Sequence, residues 1–416
     1  MHCRFCNNLL THEFIDLVNA PPSNSFLTKE QLNDPEVFYP LRLFVCDKCF
    51  LVQVDEYKKS DEIFSQDYAY FSSFSKTWLD HAKKYVDMIT GRIELNTTSY
   101  VIEIASNDGY LLQYFNEKQI PCLGIEPSAN TAQAARQKGI DTLEEFFSIE
   151  LAKRLVRDEK NADLIIGNNV LAHVPDINNF VGGLKIALKN DGVVTMEFPH
   201  LMRLVEENQF DTIYHEHFSY LSFHTVRQIF SKRGLIIFDV EELPTHGGSL
   251  RIYARHDNDE SKIVTPNVAG LLEEESARGM LKLNYYLNFQ KKADKVKYAL
   301  LSFLLEQKKR GKKVAAYGAA AKGNTLLNYA GVKPDLIPFV CDAAPSKQGK
   351  FMPGSHIPIL PPFALDEHQP DWVVILPWNI KSEIFEQLKY IKEWGGQFVT
   401  CVPNLECTSI NDNQYD

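Results

Sequence analysis

The sequence predicts an α/β protein with a small metal-binding module at its N-terminus. Between Ser99 and about His256, short apolar runs alternate with runs of helical periodicity, which is the pattern of a doubly wound sheet. A second, shorter alternation begins at KVAAYG, residues 313–318. Two Cys-x-x-Cys pairs lie within the first fifty residues. A chain of 416 residues is too long for one ordinary core, so these features predict separate domains.

The predicted domain boundaries follow changes of pattern along the chain. Residues 1–75 are loop-rich and contain the paired cysteines. Residues 76–265 open on a predicted helix and continue with the main alternation of strands and helices. Residues 266–310 predict a long helical connector. Residues 311–416 predict a smaller α/β domain, with further strands at LIPFVCD, DWVVILPW and GQFVTCVPN.

The central alternation has clear strand and helix segments. The strands are predicted at YVIEIA, CLGIEP, ADLIIGNN and GVVTMEF, each a short apolar run. The helices between them are predicted at GYLLQYFNEK, NTAQAARQKG and NNFVGGLKIAL. Such an order favours parallel strands with helices on both faces of the sheet.

Composition and charge exclude several classes of partner. The formal net charge of -10 gives no general attraction to nucleic-acid phosphates or anionic lipid. The first residues do not form a signal peptide, and no apolar stretch reaches the length of about 20 residues that a membrane helix needs. We therefore expect a cytoplasmic protein that binds neither nucleic acid nor membrane. The oligomeric state has no sequence signal.

The four N-terminal cysteines predict a structural zinc site. Cys3 and Cys6 form one knuckle, and Cys46 and Cys49 form the other. Four thiolates in this spacing suit tetrahedral zinc and leave no open position for catalysis. The alternative is two unrelated pairs of buried cysteines. A redox role is disfavoured because neither pair lies beside a βαβ pattern.

The turn after the first central strand predicts a nucleoside site. In VIEIASNDGYLL a strand is followed by a tight turn and a helix start, which places backbone N–H groups against a ligand. The dinucleotide fingerprint is absent, because only Gly109 is a glycine. The acidic Glu103 precedes the turn, and Glu126 ends the next strand, where a carboxylate can accept both ribose hydroxyls.

This arrangement resembles the class I S-adenosylmethionine-dependent methyltransferases, which have a Rossmann-like fold. Their generic motif is E/D-x-G-x-G-x-G, whereas here Ala105 and Asn107 occupy the first two glycine positions. The alternative is an α/β domain that binds another nucleotide. The segments DYAYFSSFS, EIASNDGYLL, GNNVLAHVPD, FDTIYHEHFSYLS, THGGSLRIY and YGAAAKGNTLLNY are together similar to the bacterial nucleotide-sugar C-methyltransferases that make branched deoxysugars.

The resemblance spans nearly the whole chain and implies both cofactors and substrate. It implies N-terminal zinc, S-adenosylmethionine in the central domain, and a dTDP-linked 4-keto-deoxyhexose bound with help from the C-terminal domain. The expected reaction is methyl transfer to a ring carbon, C3 by preference, through an enolate. The residues expected to contact S-adenosylmethionine are Glu103, Ala105, Ser106, Asn107, Asp108, Gly109, Glu126, Pro127, Asn168 and Asn169.

The stretch YHEH supplies the groups that carbon methylation requires. A proton next to a carbonyl must be removed and the enolate held, which calls for a base near neutral pH and a donor to the oxygen. His217 is the candidate base, since histidine titrates in this range. By resemblance, Tyr214, Glu216, His173 and Tyr68 complete the catalytic set. A metal site built on His-x-His and a merely packed polar loop are the alternatives.

The C-terminal turn YGAAAKGNTLLNY has two readings. It is not a Walker A loop, because Lys322 precedes the second glycine. Its amides and the lysine charge suit an anion, but its small residues also suit close packing of strand and helix. The family resemblance favours the ligand. The expected substrate contacts are Tyr317, Gly318, Lys322, Gly323 and Asn324, with Arg251 from HGGSLRIY.

Three other functions compete with this hypothesis. The first is a zinc-ribbon protein that binds nucleic acid, which the negative charge and the lack of a basic stripe disfavour. The second is an O- or N-methyltransferase acting on a sugar or another small molecule, which needs no base to form a carbanion. The third uses the same enolate for epimerisation alone, which the cofactor turn disfavours.

Overall fold

The computed structural model describes residues 1–57 and 71–408. Within them, the strands in chain order are β1 (His12–Ala20), β2 (Tyr39–Val45), β3 (Val52–Val54), β4 (Val101–Ile104), β5 (Cys122–Ile125), β6 (Thr142–Leu143), β7 (Ala162–Asn168), β8 (Leu188–Pro199), β9 (Ser219–Tyr220), β10 (Leu235–Leu243), β11 (Ser249–His256), β12 (Val314–Tyr317), β13 (Val340–Cys341), β14 (Ile359–Leu360), β15 (Trp372–Ile375), β16 (Gln397–Thr400) and β17 (Glu406–Thr408).

The helices of the same residues, again in chain order, are α1 (Lys76–Arg92), α2 (Leu112–Glu117), α3 (Ala129–Gln137), α4 (Ile149–Arg157), α5 (Ile177–Ala187), α6 (Leu201–Glu206), α7 (Phe223–Lys232), α8 (Pro266–Ala277), α9 (Phe289–Lys309), α10 (Ala321–Ala330), α11 (Ala364–His368) and α12 (Lys381–Gln387). Short 3-10 turns at Leu171–His173, Phe210–Thr212 and Thr245–Gly247 carry residues of the sites described below. No helix of the described residues is both long and apolar enough to cross a membrane.

The chain divides into two compact units, each assembled from separate segments. The first unit comprises Met1–Thr11, Val45–Met202 and His217–Tyr285. The second comprises His12–Phe44, Arg203–Glu216 and Tyr286–Asp416. The four contiguous domains expected from the sequence stay a prediction.

The first unit is built on a sheet with the strand order β10-β11-β8-β7-β4-β5-β6. Strands β4 to β8 are parallel to their neighbours among themselves, and β10 and β11 are added antiparallel at one side. Every residue of β4 is buried, as a central parallel strand requires. The sequence predicted β4, β5, β7 and β8 but not the antiparallel pair.

Helix α1 shows how a sequence pattern becomes packing in this unit. Ser75 caps the helix, since its side chain accepts the backbone N–H of Trp78 at 3.2 Å. Ala82, Tyr85 and Ile89 recur on one face and are almost fully buried in the core. The helix predicted near this position is therefore confirmed.

The four N-terminal cysteines converge in the first unit. Their sulfur atoms all lie within 4.8 Å of one another. The Cys3–Cys49 sulfur distance is 3.6 Å, and the Cys6–Cys46 distance is 3.5 Å. Sulfurs bound to one tetrahedral zinc at about 2.3 Å lie about 3.8 Å apart, so the donor set fits this ion. The four would hold zinc as thiolates and join two chain segments distant in sequence.

The second unit contains a sheet with the order β14-β13-β12-β15-β16-β17. Its strands are parallel except for β17, which runs antiparallel to β16. This confirms the predicted C-terminal α/β fold. The same unit holds β1, which pairs with β2. The loop-rich prediction for residues 1–75 missed both of these strands.

Residues 266–310, the predicted helical connector, contain two helices separated by a break. Helix α8 ends at Ala277, and Gly279 follows with a left-handed φ of 88° that stops the helix. Helix α9 begins only at Phe289. Glycine at this place was the local signal for the break.

The cysteine geometry predicts a zinc content of about one ion per chain. Cys46→Ser should lose most of this zinc and lower the melting temperature, because three thiolates and a hydroxyl bind zinc weakly. Metal analysis and thermal melting of the purified chain measure both effects. Cys407→Ser is the matched control, because this cysteine is exposed and lies outside the cluster. Full zinc content in Cys46→Ser would contradict the assignment.

Candidate functional site

A cavity of about 320 Å³ lies in the first unit at the carboxyl ends of β4, β5 and β7. The residues that follow these strands line it, among them Ala105, Glu126 and Asn169. Strands β5 and β6 are added on one side of β4, and the chain then returns to add β7 on the other side of β4. Open α/β sheets bind ligands at such a point.

The turn after β4 is shaped by three residues in left-handed conformation. Ala105, Asn107 and Gly109 have φ values of 56°, 51° and 76°. A side chain at Gly109 would come within 2.5 Å of Ile140, so the glycine is required for close packing. The Asn107 side chain accepts the Ser72 N–H at 2.9 Å, and both residues line the cavity. The turn thus places the Asn107 side chain at the cavity, whereas the N–H groups of Ala105, Asn107 and Gly109 are hydrogen-bonded within the protein.

Glu126 connects this turn with the end of β5. One carboxylate oxygen accepts the Asn107 N–H, and the other accepts the Ser128 N–H, both at 2.9 Å. Burial raises the pKa of Glu126, although the two backbone donors act in the opposite direction. Each oxygen has a second lone pair, so the carboxylate can also accept hydroxyl groups of a ribose.

Asn168 is the clearest sign that the cavity holds a polar ligand. It lines the cavity and is 9% exposed. Among the described residues, neither its side-chain oxygen nor its nitrogen has a hydrogen-bond partner. Buried polar groups rarely stay unpaired, so a ligand with a donor and an acceptor fits this place.

The predicted cofactor residues separate into two sets. The cavity is lined by Ala105, Asn107, Glu126, Pro127, Asn168 and Asn169. The buried residues Glu103, Ser106, Asp108 and Gly109 are not among its lining residues and support the turn instead. Burial raises the pKa of Glu103 well above its usual range. The sequence analysis did not predict that aromatic side chains, namely Trp78, Phe147 and Phe180, line the cavity. The adjacent Phe146 and Phe147 after β6 were the clearest feature of the sequence that could have indicated this lining.

Two predicted catalytic histidines meet beside the cavity. His173 lies in the 3-10 turn after β7 and lines the cavity. Its ring contacts that of His217 edge to face, with ring centroids 4.6 Å apart. The ring centroid of Tyr220 lies 6.0 Å from that of His217. Both histidines are half-buried, so a ligand can reach them.

The other residues of YHEH belong to the second unit. The Asn24 amide donates to both carboxylate oxygens of Glu216, at 2.8 and 2.9 Å. His215 is buried and lies 3.2 Å from the Pro40 carbonyl through Nε2. Burial lowers the pKa of His215, which suits a neutral, structural histidine. Tyr214 is half-buried.

A group of ionisable side chains surrounds the C-terminal turn in the second unit. Lys322 donates to Asn379 at 2.8 Å, and its ammonium lies 4.6 Å from the ring centroid of Trp378. Trp378 in turn donates to Asp211 at 2.7 Å. Burial lowers the pKa of Lys322 to about 8, and Asp211 opposes the shift. Burial raises the pKa of Asp211 to about 6, although the charge of Lys322 acts to lower it.

The remaining predicted contacts of this turn are packed. Gly318 has a φ of 91°, and an added Cβ would lie 2.4 Å from Pro377. A Cβ added at Gly323 would lie 2.6 Å from the Leu376 side chain. Asn324 is buried and donates to the Ser23 carbonyl at 2.6 Å. Tyr317 is buried too, and burial raises its pKa to about 12. The close packing expected of this turn is therefore present, and a ligand contact stays a prediction, for which Lys322 is the best-suited residue.

Two further predicted residues have different outcomes. Arg251 lies in the first unit, is 4% exposed and pairs with Glu197 at 2.7 Å. Its position favours a structural role over contact with substrate. Tyr68 lies outside the described residues.

Comparison with known families covers each part of the chain. Residues 3–64 match the family described as "Putative zinc binding domain". Residues 79–239 match a methyltransferase domain. Residues 244–403 match the C-methyltransferase C-terminal domain.

Solved structures and one curated protein are also similar. The chain resembles a methyltransferase from Anabaena variabilis (14% identity, 42% of this chain, 83% of that chain, TM-score 0.35). It also resembles magnesium protoporphyrin IX methyltransferase from Synechocystis, solved with bound SAH (14% identity, 42% and 80%, TM-score 0.33). These TM-scores are too low to support a functional argument.

The curated relative is more informative. C-methyltransferase NovU of Streptomyces niveus is 33% identical over 401 residues, which cover 96% of this chain and 95% of that protein. The four-cysteine cluster agrees with the matched zinc-binding family, and the cavity agrees with the matched methyltransferase domain. The chain therefore belongs to the family of S-adenosylmethionine-dependent C-methyltransferases.

Proposed function

We propose that the carbon acceptor is C3 of a nucleotide-linked 4-keto-deoxysugar and that His217 is the base, in a pathway to branched deoxysugars. The observation that carries this proposal is the contact between His217 and His173, with ring centroids 4.6 Å apart. Because His173 lines the cavity assigned to the methyl donor, a base at His217 lies one side chain away from it. Deprotonation and methyl transfer must act on the same carbon, so this proximity is required.

The chemistry divides into two events at one sugar carbon. His217 takes the proton from C3, and the C–H electrons move into an enolate that ends on the C4 oxygen. Tyr214 donates a hydrogen bond to this oxygen and stabilises its charge. S-adenosylmethionine, held by the residues that line the cavity, would supply an electrophilic methyl group to C3 and leave as S-adenosylhomocysteine, which keeps the S–C electron pair. The C4 carbonyl re-forms as the new C–C bond is made. The chain contributes orientation and exclusion of water as well as the base.

Two groups of the second unit have chemistry that suits a nucleotide sugar. The Asn24 amide fixes the Glu216 carboxylate through two hydrogen bonds, so this acceptor can orient a sugar hydroxyl. Lys322 is half-buried, and burial lowers its pKa. A phosphate bound beside it would favour the protonated, charged form of the lysine. These contacts extend the proposal to the diphosphate of a nucleotide sugar.

The substrate class is tested by a panel of nucleotide sugars. The chain is incubated with S-adenosylmethionine and nucleotide-linked sugars with or without a C4 carbonyl. Mass spectrometry and carbon connectivity by NMR should show one added methyl on C3, and only with the 4-keto compounds. Methylation of oxygen or nitrogen, or equal turnover of the 4-hydroxy sugars, would refute the enolate route.

Glu126→Gln should weaken S-adenosylmethionine binding about 10- to 100-fold, since hydrogen bonds to a charged group contribute about 1.5–3 kcal/mol. Calorimetric titration measures the Kd, and thermal melting checks that the variant is folded. Glu144→Gln, at an exposed position nearby, should bind as the unaltered chain does. An unchanged Kd in folded Glu126→Gln would remove the cavity from the cofactor role.

His217→Asn should lower kcat about 10²- to 10⁴-fold, which is the usual contribution of a general base. Its Kd for S-adenosylmethionine should stay within about twofold, because His217 acts on the sugar. The direct readout is exchange of the C3 proton with deuterated solvent in the absence of the methyl donor. His224→Asn is the control at a neighbouring, half-buried histidine. Exchange at the normal rate in His217→Asn would exclude it as the base.

A further inference from the structure

A buried carboxylate lies next to the cavity but is not among its lining residues. Glu197 is at the carboxyl end of β8, in register with Asn168 of β7, and its side chain is fully buried. Burial alone would raise the pKa of Glu197, but the hydrogen bond from His81 and the charge of Arg251 lower it to about 2. The group is therefore a fixed negative charge.

Three side chains donate to this carboxylate. The distances to Glu197 oxygens are 2.7 Å from Arg251 Nη2, 2.8 Å from the Thr245 hydroxyl and 2.9 Å from His81 Nε2. Arg251 balances the charge, as a buried carboxylate requires. The other two partners lead towards the cavity.

The first route runs through His81. Its ring stacks on the indole of Trp78, with centroids 5.0 Å apart and an interplanar angle of 19°. Trp78 lines the cavity and also stacks on Tyr110, a second lining residue. The hydrogen bond between His81 and Glu197 therefore sets the position of an aromatic wall of the cavity.

The second route runs through the turn that begins at Thr245. The next residue, His246, accepts a hydrogen bond from the side chain of Asn169 at 2.8 Å, and Asn169 lines the cavity. The Asn169 N–H also donates to the backbone carbonyl of Glu197 at 2.7 Å. Glu197 thus holds Asn169 directly through its backbone carbonyl and indirectly through the turn that contains Thr245 and His246.

The backbone at both ends of this second route needs such support. Asn169 and His246 have positive φ values of 55° and 56°. Residues other than glycine keep this conformation where their surroundings determine it. The ring centroid of His246 also lies 5.2 Å from that of Trp78, so the two routes meet.

We propose that Glu197 is a positioning residue for the methyl donor, which fixes Trp78 and Asn169 on the cavity wall through His81 and Thr245. The inference rests on the proposed assignment of the cavity to S-adenosylmethionine. It adds a residue that touches neither cofactor nor substrate and yet determines cofactor affinity.

The test is calorimetric titration of the zinc-loaded full chain with S-adenosylmethionine. Glu197→Gln should raise the Kd at least about tenfold, because a charge-assisted network is lost. Thr245→Val removes a single hydrogen bond and should raise the Kd about three- to tenfold. Thr245→Ser keeps the hydroxyl and should restore the Kd to within about twofold. If Glu197→Gln does not fold, the pair at Thr245 decides.

A control variant at a second buried carboxylate distinguishes a positioning role of Glu197 from a purely structural one. Asp239 is buried and hydrogen-bonded to Arg92, Thr265 and Asn267, and none of these three residues lines the cavity. Asp239→Asn should lower the melting temperature and leave the Kd unchanged. The proposal is overturned if folded Glu197→Gln and Thr245→Val bind normally, or if Thr245→Val and Thr245→Ser bind equally weakly. An unchanged Kd in Glu126→Gln would instead overturn the cavity assignment.

Discussion

The order of the parallel strands decides where the first unit can bind a ligand. Strand β4 has β5 on one side and β7 on the other, so the chain changes direction after β6. Connections from neighbouring strands leave on opposite faces at this point, and a crevice remains between them. The left-handed turn after β4, the carboxylate of Glu126 and the unpaired amide of Asn168 all lie at this crevice. The other elements of the sheet hold these groups in place.

Burial separates the ionisable groups that support structure from those suited to chemistry. Glu197 pairs with Arg251, and His200 lies 2.7 Å from Glu275; all four side chains are almost completely removed from solvent. Such pairs fix geometry, because breaking one leaves an uncompensated buried charge. His173 and His217 are half-buried instead, so a ligand can reach both rings. Lys322 is intermediate, since it is half-buried and its charge can respond to a ligand.

The sequence predicted best the features that are local in the chain. The cysteine spacing indicated the metal cluster, and the apolar runs indicated the central parallel strands. Features that depend on distant partners were missed. The segments of β1 and β2 have no strand pattern that can be recognised without their partners. Glu197 has its hydrogen bonds only because the fold brings it to residues 81, 245 and 251. The pairing of Arg251 with Glu197 was likewise not visible in its motif, because it depends on the register of the sheet.

The interleaving of the two units has a consequence for folding and for fragments of this chain. Each unit is made of three segments that alternate along the chain, so no single cut separates one unit from the other. Closing the intervening loops costs conformational entropy, and folding must wait for distant segments such as the two cysteine knuckles to meet. Recombination of modules between relatives would therefore need several coordinated exchanges, because a single crossover leaves at least one unit with segments from both parents.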